Sequence, residues 1–151
     1  MNAGLFHAVD LGVFAVANLI NLLLTVMFVA RGRRNRKVES STGLAVVVLG
    51  LPLAAASVLN ALGRRAWWTW ALPLLMVAFS VVEYLVDYAL KVEFRDRRAM
   101  KPYLILYYLA LMAMIGYSFL IGKTYGFITL LTYFVHMGAT AYSYGRVRHG
   151  R

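Results

Sequence analysis

The sequence has no cysteine, which excludes disulfides, thiolate metal centres and cysteine nucleophiles. Acids are also scarce: six Asp and Glu stand against sixteen Lys and Arg in 151 residues. Charged residues make up 15% of the chain, where soluble domains carry roughly 25%. No Gly-rich phosphate loop follows a strand, and neither Ser57 nor Ser118 heads a Ser/His/Asp arrangement. Soluble-type catalysis is therefore not expected. No internal repeat and no low-complexity linker interrupts the chain. What it has in abundance is apolar surface, 62% hydrophobic residues against roughly 45–50% in soluble proteins. The length suits one domain, with no room for a separate water-soluble one.

A membrane-crossing helix needs about 20 mostly apolar residues. Five stretches qualify: Leu5–Ala30, Gly43–Leu62, Trp67–Leu90, Tyr103–Ile121 and Gly126–Tyr144. The run from Tyr103 to Tyr144 is nearly continuous. As one helix it would extend about 63 Å, twice the roughly 30 Å core of a bilayer, so it must fold back. The segment Gly122-Lys123-Thr124-Tyr125-Gly126, with two glycines and a charge, is the place for it. The expected fold class is an all-α helical bundle with five transmembrane helices.

The basic residues divide unevenly over such a chain. Arg31, Arg33, Arg34, Arg36 and Lys37 follow span 1. Lys91, Arg95, Arg97, Arg98 and Lys101 follow span 3, and Arg146, Arg148 and Arg151 close the chain. These thirteen fall on one side, whereas only Arg64, Arg65 and Lys123 fall on the other. Lys and Arg are retained in the cytoplasm, so the expected topology is N-outside and C-inside, in the cytoplasmic (inner) membrane. The chain's start does not read as a secretory signal, because its first cation follows the apolar stretch. Read alone, Arg31–Lys37 resembles a nucleic-acid patch. Directly after a span it reads as a topology determinant touching anionic lipid headgroups, and no nucleic-acid partner is expected.

Interface residues agree with this layout. Trp67, Trp68 and Trp70, with Tyr125 and Phe127, suit the outer aromatic belt, and Tyr103, Tyr107, Tyr142 and Tyr144 the inner one. Ser40, Ser41 and Thr42 offer N-cap oxygens to span 2, Pro102 suits the first turn of span 4, and Pro52 predicts a kink.

Polar residues within the spans form stripes. Span 1 carries Asp10, Asn18, Asn21 and Thr25; span 3 carries Ser80, Glu83, Asp87 and Lys91; span 5 carries Thr129, Thr132, His136, Thr140 and Ser143. Each set recurs at three or four residues and shares a helical face. Span 2 shows small residues instead, at Gly43, Gly50, Ala54, Ser57 and Ala61, which permit close helix approach in lipid. With the expected orientation, Glu83 lies about 12 Å and Asp87 about 6 Å from the cytoplasmic edge at Lys91. Asn21, Thr25, Tyr107, Tyr108, His136 and Thr140 fall in the same half, and at most one of the two adjacent tyrosines faces inward.

A carboxylate at that depth must be paired, protonated or wetted, and it is a functional-site candidate for that reason. Glu83 and Asp87 read either as a proton, cation or ligand site, or as locally satisfied groups. In the second reading Asp87 pairs with Lys91, and Glu83 is bonded by a Tyr or Asn of a neighbouring helix. Two acids at i and i+4 also resemble half a Mg²⁺ site. The other acids, Asp10, Glu39, Glu93 and Asp96, stand elsewhere, so no metal and no cofactor are expected. His136 reads as a proton shuttle or as a buried neutral imidazole, and Asn18 and Asn21 as interhelical bonds or ligands. Asp10 is expected near the outer interface, within reach of water. Glu93 and Arg97 are expected to pair in the mixed-charge connector after span 3.

Three functions fit these residues. The first is a small membrane protein that binds, and by extension transports, a lipidic or small polar ligand in a polar inner-leaflet cavity. Glu83, Asp87, Asn21, Tyr107 and His136 would be its binding or proton-coupling residues. The second is a structural subunit or assembly factor, with a second copy or a membrane complex as partner. The third is an embedded enzyme using Glu83 as acid or base on a lipid or isoprenoid.

Overall fold

The computed structural model describes residues 3–90 and 100–149. It is an all-α bundle of five helical rods, and among the described residues there is no strand. Helix α1 is Ala3–Gly32. Helix α2 is Arg36–Leu62, in two stretches, Arg36–Val48 and Gly50–Leu62. Helix α3 is Trp68–Ala89, and its last turn, Tyr84–Ala89, is π-helical. Helix α4 is Met100–Ile121 and α5 is Lys123–His149. The first four are long and apolar enough to cross a bilayer. Their outward faces present Leu51, Leu62, Val81 and Ile105, surface that only lipid or another apolar phase covers without cost. The chain is a multi-pass membrane protein.

The rods pack as a closed ring in chain order, with α5 returning against α1. An odd number of rods makes that last pair parallel. Phe14 meets Tyr125, Asn18 meets Thr129, Asn21 meets Thr132 and Phe28 meets His136. Helix α5 therefore keeps level with α1 along most of its length. The fold-back falls on Gly122, the single residue between α4 and α5. Gly126, one turn on, lies against the Phe119 ring, where a Cβ would collide. The shared core runs down the axis through Val13, Ile20, Leu24, Leu53, Met76, Phe79, Ala110, Met114 and Tyr117.

Helices α1 and α2 end the same way. The Asn35 N–H donates to the Ala30 carbonyl (2.9 Å) and that of Arg34 to Arg31 (3.0 Å). Likewise Arg65 donates to Asn60 (3.1 Å) and Arg64 to Ala61 (3.0 Å). These are paired terminal bonds whose left-handed residue is usually glycine. Here arginine holds it, with φ of 58° at Arg34 and 52° at Arg64. The second of these turns aims Arg65 back at the bundle.

Local chemistry differs from expectation at the start of α2. The N-cap is Asn35, whose Oδ1 accepts the Val38 N–H at 3.3 Å. Ser40, Ser41 and Thr42 lie inside the helix, and the Thr42 hydroxyl donates back to the Val38 carbonyl (2.7 Å). Asn35 outcompetes them because the chain leaves α1 in a two-residue turn. The helix is interrupted at Leu49, within the turn that Pro52 deprives of a backbone donor. Gly43, Gly50 and Ser57 of the small-residue stripe are buried; at the lower end Asn60 is buried while Ala61 is exposed.

Gly50 of α2 packs directly against Ser80 of α3. A Cβ there would lie 2.9 Å from the Ser80 Cβ, an atom fixed to its own backbone, so the helices would have to separate. Gly50→Ala is expected to lower stability by about 1 kcal/mol net, the overpacking cost outweighing the roughly 1 kcal/mol gain in helix propensity. Denaturant unfolding in mixed micelles measures it, and a stabilised variant would refute the close approach.

Candidate functional site

The end of the bundle that carries the arginine-rich α1–α2 turn contains a cavity of about 350 Å³. Four helices wall it. Arg31, in the last turn of α1, and Asp87, in the π-helical turn of α3, stand beside Met100, the first residue of α4, and Tyr144, late in α5. Leu24, Phe28, Phe79, Glu83 and Tyr107 line it further along the helices.

Glu83 sits where α3 passes from α- to π-helix. Its side chain is turned inward, 8% exposed, and accepts a hydrogen bond from the Tyr103 hydroxyl across the cavity. The π turn is closed by the Leu90 N–H donating to the Leu85 carbonyl (2.8 Å). Such wide turns are rare and concentrate at functional sites. Asp87, one turn further toward the helix end, is exposed while Glu83 is buried. Tyr88 anchors the turn to α2 by donating to the Ser40 carbonyl at 2.9 Å. Among the described residues Glu83 and Asp87 belong to no cluster of three His, Asp or Glu able to hold a metal.

Arg31 brings the cavity's cation, already engaged. Its Nε donates to Glu39 Oε1 at 2.6 Å, and the guanidinium carbon lies 4.8 Å from the Phe28 ring centre. On the apolar side, Phe79 lies 5.2 Å from Tyr107 and 5.8 Å from Tyr103, centre to centre. The three rings form a wall next to Glu83.

Of the five residues singled out from the sequence, Glu83, Asp87 and Tyr107 line the cavity. His136 stands behind Tyr107, fully buried, its Nε2 sharing a hydrogen bond with the Tyr107 hydroxyl. His136 Nδ1 has no hydrogen-bond partner among the described residues, and the Thr140 hydroxyl donates to the His136 carbonyl at 3.0 Å. Asn21 lies outside the cavity. Its amide donates to the Thr132 hydroxyl (2.9 Å) and the Thr129 carbonyl (3.4 Å), joining α1 to α5. Asn18 donates to Thr129 Oγ1 (3.1 Å) and accepts from Thr132 (2.9 Å), and Thr25 turns back to the Asn21 carbonyl. Asn18, Asn21, Thr129 and Thr132 of the two stripes are thus spent on each other. Tyr107 is buried and Tyr108 is exposed. The expected Asp87–Lys91 and Glu93–Arg97 pairs lie outside the described residues, as do most of the basic connector after α3 and the chain's last arginine.

Sequence reasoning missed Arg31, assigned to topology, and Tyr103, assigned to the interface. The available signal was spacing: Tyr103 precedes Tyr107 by four residues, on the same face. It also missed a cluster at the opposite end. There Asp10, expected near the outer interface, is part-exposed and paired within the bundle. Arg65 holds it with both terminal nitrogens, Nη1–Oδ1 at 2.7 Å and Nη2–Oδ2 at 2.9 Å. Tyr117 donates to Asp10 Oδ1 at 2.6 Å, and Arg65 also donates to Asn60 Oδ1 at 2.9 Å. The hydrogen bonds to Asp10 raise the Arg65 pKa above its ordinary value, so the guanidinium stays charged. The turn at Arg64 delivers the cation to Asp10.

No protein-family model, curated protein or solved structure matches this chain.

Proposed function

We propose that the chain binds a lipidic or small polar ligand in the cavity beside Glu83. One observation carries this reading: a space of about 350 Å³ in which Glu83, Asp87 and Arg31 face Leu24, Phe79 and Leu104. Ligand pockets are commonly about 300–1,000 Å³, mostly apolar with a few convergent polar groups. The distribution of Lys and Arg supports an N-outside, C-inside topology, with α5 crossing beside α1 and the cavity in the cytoplasmic leaflet. Arg33, Arg34, Arg36 and Lys37 would then meet anionic headgroups around its entrance. The Asn18 and Asn21 bonds to α5 weigh against the subunit reading, because they close the bundle on itself rather than offering polar groups to a partner.

Native mass measurement of the protein released from its own membrane tests the proposal. The wild type is expected to carry a bound small molecule, and Leu104→Trp, which fills the cavity, to lose it while keeping its unfolding midpoint. Equal adducts on both, or none on either, would reject the reading. A stable heteromer would favour the subunit alternative.

A further inference from the structure

We infer that the cavity selects an organic cation, an ammonium group on an apolar or aromatic body. The inference rests on the preceding reading that the cavity is a ligand site and names its chemical class. The wall carries two carboxyl groups, Glu83 and Asp87, one turn apart. Asp87 accepts no hydrogen bond and no ion pair among the described residues. The cation on the same wall, Arg31, is matched by Glu39 at 2.6 Å and rests on Phe28. An entering anion would add like charge beside Asp87 and Glu83, whereas a cation would pair with them. The rings of Phe79, Tyr103 and Tyr107 stand next to these acids, and aromatic faces attract ammonium groups most strongly where water is excluded. Acid at the mouth and rings behind it are what an amine with a hydrophobic body requires.

The absence of cysteine makes a local readout simple. Met100→Cys, alkylated with a trifluoromethyl tag, places one ¹⁹F reporter on the cavity wall. The protein is held in uncharged maltoside micelles. Three probes of similar shape are titrated: phenyltrimethylammonium, its neutral isostere tert-butylbenzene, and benzenesulfonate. The cation is expected to shift the resonance saturably and to bind at least about tenfold tighter than the neutral probe, with no saturable response to the sulfonate. Asp87→Asn is expected to cut that preference to within about threefold while leaving the unliganded spectrum unchanged. A neutral probe binding as tightly as the cation would overturn the charge inference and leave the cavity reading standing. A cation preference that survives Asp87→Asn combined with Glu83→Gln would overturn it as well. No response to any probe would remove both.

Discussion

Replacing Arg65 with methionine is expected to lower the unfolding free energy by about 3 kcal/mol, the largest effect of any single substitution considered for this bundle. Asp10 sits on α1 with its side chain 14% exposed, and three of its hydrogen bonds come from Arg65 and Tyr117. Removing the guanidinium strands a carboxylate that the helix cannot move into water. The reverse substitution is milder. In Asp10→Asn the arginine stays on a loop, and its long side chain can extend toward the surface. About 1.5 kcal/mol is expected there, because less charge is left buried. The double variant is expected to fall near Asp10→Asn alone, since no carboxylate remains for Arg65 to neutralise. Unfolding of the three variants in mixed micelles measures the cycle. Equal losses for both single variants, or an Arg65→Met loss under about 0.5 kcal/mol, would show a surface pair of no consequence.

Asn60→Leu is expected to cost about 2 kcal/mol, through a proline thirteen residues away. Pro73 has no N–H and leaves the Thr69 carbonyl without its helical donor. The Asn60 amide takes that place, donating to the Thr69 carbonyl at 2.9 Å. Thr69 is buried, and an unpaired buried carbonyl bears its full desolvation cost. The Asn60 side chain also accepts from Arg65 at 2.9 Å, so leucine removes two bonds. In a Pro73→Ala background the backbone donor returns, and Asn60→Leu is expected to cost about 1 kcal/mol less. Additivity of the two substitutions would sink the explanation.

Both effects lie at the end of the bundle away from the cavity. There α1, α2, the α2–α3 turn and α4 are tied by Asp10, Arg65, Asn60 and Tyr117. At the other end the ring of helices parts around Glu83. Under the proposed function, this leaves the basic end as the ligand's entrance.

The helices themselves were legible because bilayer thickness and helix rise leave few alternatives. A continuous apolar run from Tyr103 to Tyr144 had to reverse, and glycine at 122 marked the place. The inward aspect of Glu83 and the choice of only one of Tyr107 and Tyr108 followed from helical periodicity. Periodicity reports which residues share a face and is silent about what that face meets. The meeting of Asn18 and Asn21 with Thr129 and Thr132 depends on how α1 and α5 rotate against each other, a matter of packing around the whole ring. The capture of Asp10 by a residue 55 positions away depends on a left-handed arginine where glycine is usual. The π turn that follows Glu83 is tied to α2 by a tertiary anchor, Tyr88 on Ser40. Local sequence determined the rods and their polar stripes through hydrogen-bond geometry and hydropathy, which act over a few residues. Only the tertiary structure decided which stripes were spent on holding the bundle together and which were left facing a cavity, because that choice belongs to the closest packing of five helices at once.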